Sequence, residues 1–273
     1  MGKKPRARDF HDRVAARYDT TYDEAYWDLF RAVGWELLKP RLPRQASAKV
    51  LDLGCGTGHW GLKLAKSGFH VTFVDESQSM LDVASRKAGS MGLEDRCRFV
   101  RADLCDMEST ILGQEPGSFA LAVAEGNPLS QVRDALKALG GIRKLLANGA
   151  PLCATVNNLS HALDHFAREG DMEALEKFVS HGRTQWLAHE KGERFDVTMY
   201  SAESLGKLLR KAGWNLDALY GRGVLPLREH AILLGDPAGR SRLLDIECGL
   251  ARDPSHLGRA SQLGFVATPL VNR

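Results

Sequence analysis

Val50-Leu51-Asp52-Leu53-Gly54-Cys55-Gly56-Thr57-Gly58-His59-Trp60-Gly61 carries an apolar run into a carboxylate and then into a glycine-dense turn. The run from Lys49 to Leu53 has the composition of a strand buried on both faces of a parallel sheet. Gly54, Gly56 and Gly58 permit a tight turn, and where side chains are missing a ligand can lie against the backbone. A helix predicted over Trp60 to Lys66 would point its free N–H groups at that ligand.

Gly56-Thr57-Gly58-His59-Trp60-Gly61 also fits the dinucleotide pattern GxGxxG, so a nicotinamide or flavin enzyme is one reading of the turn. Asp52 argues against it. An acid two residues before the first glycine would repel a pyrophosphate, whereas it could receive an ammonium group.

The following apolar segments repeat the arrangement of strand and acid. His70 to Val74 ends in Asp75, Cys97 to Ala102 ends in Asp103-Leu104, and Phe119 to Ala124 ends in Glu125-Gly126-Asn127-Pro128. A helix over about Ser77 to Met91, closed by Gly92, fills the first interval, which suits one βαβ step. Further strands are expected at Gly149 to Val156, tipped by Asn157-Asn158, at Trp214 to Tyr220 and at Gln262 to Ala267. Helices are expected at Leu136 to Leu146, Ser201 to Lys211 and Pro237 to Gly258.

In that order these segments resemble the class I S-adenosylmethionine-dependent methyltransferases of small-molecule type. Asp52 to Gly58 matches their acid-x-Gly-x-Gly-x-Gly, and Asp75-Glu76-Ser77-Gln78-Ser79-Met80-Leu81 matches their Asp-x-Ser-x-x-Met-Leu. The resemblance implies an α/β fold: a doubly wound, seven-stranded, mostly parallel sheet with a reversed last strand. It implies S-adenosylmethionine as cofactor and S-adenosylhomocysteine as product.

By the same resemblance Asp52 and the loop Gly54, Cys55, Gly56 and Gly58 hold the methionine end. Asp75, with Glu76 and Ser77, meets the ribose diol, Met80 packs on adenine, and Ala102, Asp103 and Leu104 meet the adenine edge. Glu125 and Gly126 line the pocket. Asn127-Pro128 resembles the amino-methyltransferase signature Asn/Asp/Ser-Pro-Pro-aromatic. Leu129 and Ser130 depart from it, which argues against nucleobase N-methylation.

Residues 1–40 form an expected helical lid over a domain spanning 41–273. Phe10 to Tyr22 resembles the family's lid pattern Phe-Asp-x-x-Ala-x-x-Tyr-Asp-x-x-Tyr, shifted by one at His11. Tyr18 would face the sulfonium as an electron-rich ring. Residues 159–198 read as a polar, helical insertion covering the acceptor. Tyr22, Tyr26, Asn157, His161 and Trp186 are the candidate substrate contacts. No catalytic base is assigned: Glu125 lies on the correct edge, and methyl transfer from a sulfonium depends chiefly on alignment.

Composition bounds the partners. A formal charge of +3 on 273 residues is too slight for a nucleic-acid footprint. The basic start Lys3, Lys4, Arg6 and Arg8 reads as a solvated end, with RNA phosphates as the other reading. No apolar stretch reaches membrane-span length. Five scattered cysteines without a CxxC spacing read as reduced and cytoplasmic, with no metal site. A small-molecule acceptor is the expectation. An RNA or protein methyltransferase and a non-catalytic cofactor-binding subunit are its rivals, and the sequence leaves the oligomeric state open.

Overall fold

In the computed structural model the described residues are 6–22, 24–110, 115–185, 194–228 and 231–270. Trp186, His189, Gly192, Lys3 and Lys4 lie outside them. The chain opens with helices α1 (Ala7–Val14), α2 (Tyr18–Thr21) and α3 (Ala25–Leu38). There follow β1 (Lys49–Leu53), α4 (His59–Lys66), β2 (His70–Asp75), α5 (Gln78–Ser90), β3 (Cys97–Arg101), β4 (Leu121–Ala124), α6 (Pro128–Gln131), α7 (Ala135–Leu145) and β5 (Leu152–Asn157). The remainder comprises α8 (Leu159–Glu169), α9 (Met172–His181), β6 (Arg183–Gln185), β7 (Asp196–Thr198), α10 (Ala202–Lys211), β8 (Trp214–Arg222), α11 (Pro237–Arg252) and β9 (Gln262–Pro269).

Seven strands form one sheet in the order β3-β2-β1-β4-β5-β9-β8. Neighbours from β3 to β5 pair in parallel, and β9 runs antiparallel between β5 and β8. This is the expected doubly wound sheet with its reversed last strand. The order changes direction between β1 and β4, and the crevice at that switch point is where open α/β sheets take ligands.

Alternation along β1 sends side chains into two separate cores. Leu51 and Leu53 pack with Leu139, Ile142 and Trp214 on one face. Val50 packs with Leu64, Phe73 and Ala84 on the other. Helix α3 belongs to that second core through Leu29, Val33, Leu37 and Leu38, and it lies against α11. Ahead of it, Val14 at the end of α1 and Ala15 in the turn that follows seat on Met80.

Two expectations are refined. The helical segment expected at the start of the chain is broken: α1 stops at Val14, and a 3₁₀ turn leads into α2. The segment from Leu159 to Thr198 is not helical throughout. Asp171 caps α9, Gly182 ends it in the left-handed region, and β6 and β7 then pair as an antiparallel ribbon. Three-residue polar strands such as Arg183-Thr184-Gln185 carry no hydrophobic period to announce them.

Candidate functional site

The carboxyl ends of the strands open into a cavity of about 910 Å³, roofed by α1, α2 and the β6–β7 ribbon. That volume lies near the top of the usual range for small-molecule sites, enough for two small ligands side by side. Its walls include Gly54, Cys55, Gly56, Asp75, Glu76, Met80, Ala102, Asp103, Leu104, Glu125 and Gly126. The sequence reading is thus largely gathered into one place.

Each glycine of the loop has its own reason. Gly54, at φ +63°, would bring a Cβ to 2.5 Å from Cβ of Pro128, so close packing excludes any larger residue there. Gly56, at φ +53°, has nothing within 4 Å of where its Cβ would stand: that space belongs to the cavity. A backbone without a side chain beside that space lets a flat ligand lie against it. Gly58 is the left-handed cap of α4.

Asp75 braces this loop. Its carboxylate accepts from Gly56 N at 2.9 Å and from Ser77 N at 2.9 Å. Burial pushes its pKa up, while those two N–H donors oppose the shift. Asp103 accepts from Cys105 N at 2.8 Å and meets the guanidinium of Arg6 at 3.2 Å. Arg6 also reaches Glu76 at 2.6 Å, so the start of α1 is pinned across the two outer strand tips.

The roof is tied down at two further points. Ser77 donates its hydroxyl to Asp12 at 2.6 Å. Asp19 accepts from the Thr57 hydroxyl at 2.6 Å and meets Lys87 at 2.5 Å. Aromatic rings line the roof in sequence, Tyr18 with Tyr22 at 4.8 Å and Tyr22 with Trp27 at 4.9 Å between centroids. Burial, then the neighbouring Tyr22, pushes the Tyr18 hydroxyl pKa upward, so the ring stays neutral.

Several predicted contacts stand elsewhere. Asp52 is 1 % exposed and outside the cavity wall. It faces the same layer as Val50, under α4, and accepts from Gly61 N at 2.7 Å. Burial pushes its pKa up to about 7. Ser77 and Gly58 also lie behind the wall: the Ser77 hydroxyl accepts from Met80 N and caps α5. Tyr26 lines a small side pocket with Phe30, Leu29 and Glu247, and His161 is exposed on α8. Tyr22 and Asn157 do line the main cavity.

In the opposite half of the cavity sequence reasoning named Asn157 and missed Arg222 and Gln262. Arg222 ends β8, is 2 % exposed, and pairs with Glu125. Its guanidinium donates to Phe30 O at 2.9 Å and lies 4.4 Å from the Phe30 ring centroid. Gly34 leaves room for it, since a Cβ there would sit 2.6 Å from Nη2. Asn157, Gln262 and Arg222 stand level across β5, β9 and β8. A charged residue just after the apolar strand Trp214 to Tyr220 was the available signal, the same one that marked Asp75.

Among the described residues no group of three or more His, Cys, Asp or Glu is arranged to hold a metal ion, and no helix is long and apolar enough to cross a membrane.

Comparison with known proteins follows this geometry. Residues 50–149 match the family described as Methyltransferase domain. A demethylmenaquinone methyltransferase from Leptospira interrogans is 32 % identical over 150 residues, 52 % of this chain and 56 % of that protein. The chain spans about half the length of such curated relatives, or less. A solved SAM-dependent methyltransferase from Methanosarcina mazei superposes with a TM-score of 0.61 at 19 % identity, over 86 % of this chain and 98 % of its own. Phosphoethanolamine N-methyltransferase 2 from Haemonchus contortus, in complex with phosphomonomethylethanolamine and S-adenosylhomocysteine, superposes with a TM-score of 0.63 at 20 % identity. It covers 99 % of this chain and 62 % of its own. At these identities the structures speak for the fold.

Proposed function

We propose that this chain, which carries a class I methyltransferase domain, binds S-adenosylmethionine along the glycine loop and transfers its methyl group to a small molecule. The observation that carries the reading is the open space over Gly56, flanked by Asp75 and Asp103 and floored by Met80. Asp75 is the group for the ribose hydroxyls, and Asp103 with the Leu104 backbone is the group for adenine. Met80, 1 % exposed, supplies the apolar face. Asp52 acts from behind the wall by holding the first turn of α4 in place.

S-adenosylmethionine supplies a methyl group already activated by its sulfonium, so what the protein must do is align and enclose. The roof tyrosines exclude water and offer electron-rich faces to a cation. Glu125 is engaged by Arg222 in a buried ion pair, with burial pushing its pKa up and the guanidinium opposing that shift, and it is not assigned as a base. Alignment by the walls is accordingly the main source of acceleration.

A roofed cavity with room for one further small ligand favours a small-molecule acceptor over a macromolecule. The name of the Leptospira relative, a demethylmenaquinone methyltransferase, points the same way. Methyl-labelled donor incubated with the protein and a fractionated cell extract tests this. Label should appear in small organic products; label confined to RNA or protein would overturn the acceptor class.

A further inference from the structure

Glu76 and Asp103 stand just past neighbouring strand tips, since β2 and β3 pair in parallel with Asp75 level with Arg101. Both side chains line the cavity and neither is sealed, with exposures of 29 % for Glu76 and 18 % for Asp103. An adenosine with its ribose at Asp75 and its base at Asp103 must cross the gap between those tips. Arg6, the residue that opens α1, already crosses it.

Its guanidinium is placed there as a bar. Arg6 Nη2 lies 2.6 Å from Glu76 Oε1 and 3.2 Å from Asp103 Oδ2. Asp103 Oδ2 also has Arg133 Nη2 at 3.4 Å, while Asp103 Oδ1 accepts from Cys105 N at 2.8 Å. The oxygen left over by Cys105 N is thus occupied by two guanidinium groups, about as many donors as one carboxylate oxygen takes. Arg133 is anchored independently on Asp106, and Arg6 has its nearer partner in Glu76. The longer contact of Arg6, the one to Asp103, is the one that a ligand can take over.

We infer that Arg6 competes with the cofactor's base for Asp103 and thereby sets both the affinity and the purine selectivity of the site. An adenine amino group is a neutral donor and a guanidinium a charged one, so exchanging the second for the first weakens the bond to the carboxylate. When the base enters, Arg6 gives up Asp103 and stays on Glu76. The exchange spares the roof, because Asp12 and Asp19 fasten α1 and α2 through Ser77, Thr57 and Lys87 without using Asp103. It also depends on what the purine carries at C6. A 6-amino purine needs Asp103 released, whereas a 6-oxo purine presents an acceptor that Arg6 can serve where it stands.

The inference rests on S-adenosylmethionine binding along the glycine loop, so the test uses its product and an analogue with a 6-oxo group in place of the amine. Calorimetry of S-adenosylhomocysteine and of S-inosylhomocysteine is run on the parent and on Arg6→Met, a substitution at a side chain that is 45 % exposed. S-adenosylhomocysteine should bind Arg6→Met about three- to five-fold more tightly than the parent, the size of one exposed charge pair. S-inosylhomocysteine should bind the variant no more tightly than the parent, so the preference for the amino purine rises by at least the same factor. Weaker or equal binding of S-adenosylhomocysteine to Arg6→Met overturns the inference and makes Arg6 a lid or a bystander. An equal gain for both ligands overturns it too, since loosening of the roof would act on both alike. In each of these cases binding of S-adenosylhomocysteine to the parent leaves the cofactor reading standing. Failure of the parent to bind it removes both.

Discussion

Arg222 at the tip of β8 reaches Glu125 at the tip of β4, and both side chains are 2 % exposed. Two strands of the sheet, β5 and β9, separate those tips, so this one pair draws the far edge of the sheet toward its centre. The guanidinium also carries α3, through Phe30 O and the space beside Gly34. Removing one member strands the other charge in the interior.

Arg222→Met should therefore cost about 3–5 kcal/mol, the usual penalty for orphaning a buried charge. The double variant Glu125→Gln, Arg222→Met should recover most of that loss. Urea unfolding of the two variants measures it. Equal loss in both would mean that packing, and not the stranded charge, accounts for the cost.

The roof ties predict a kinetic effect with little change in stability. Asp12 and Asp19 join α1 and α2 to Ser77, Thr57 and Lys87, and the Asp19 side chain is half exposed. Surface pairs of this kind contribute about 0–1 kcal/mol each. Asp19→Ala and Asp12→Ala should leave the unfolding midpoint nearly unchanged but speed S-adenosylhomocysteine release several-fold. Stopped-flow displacement reads the rate, and an unchanged rate in the double variant would separate these ties from retention of the ligand.

Asp52 gives a pH dependence whose sign follows from its burial. With its pKa raised to about 7 the folded chain holds a proton that the unfolded chain has already lost above pH 4 or so. Its contribution is present at acid pH and lost as pH rises from about 4 to about 7, at most roughly 4 kcal/mol by linkage. Asp52→Asn keeps an acceptor for Gly61 N and should remove this decline. Urea midpoints of parent and variant at pH 5 and pH 8 should diverge, with the variant relatively more stable at pH 8. Parallel midpoints would mean that the carboxylate is ionised and compensated where it stands.

The tips of the first four strands were legible because each apolar run ends in an acid, and the reversed last strand was implied only by the resemblance to the class I methyltransferases. Asp75, Asp103 and Glu125 were singled out in this way and Met80 by the resemblance, and all four line the cavity. Asp52 stands behind the cavity wall because strand alternation decides where a side chain goes: Leu51 and Leu53 face one core, so residue 52 faces α4. Gln262 and Arg222 escaped notice because their meeting with Asn157 depends on the register of β9 between β5 and β8, which is a long-range pairing. In the ribbon, β6 has no apolar period, while β7 shows only the short alternation Phe195-Asp196-Val197, with Phe195 and Val197 buried.

Gly56 carries the central claim, and one substitution isolates it. Its Cβ would meet nothing within 4 Å, so Gly56→Val places its side chain in the cavity and adds the backbone strain of φ +53°, at least about 1–2 kcal/mol. Calorimetric titration of S-adenosylhomocysteine into parent and variant should show binding to the parent and at least a hundred-fold weaker binding to a still folded Gly56→Val. Equal affinity in the two, or a parent that ignores S-adenosylhomocysteine while binding a nicotinamide dinucleotide, would contradict the account.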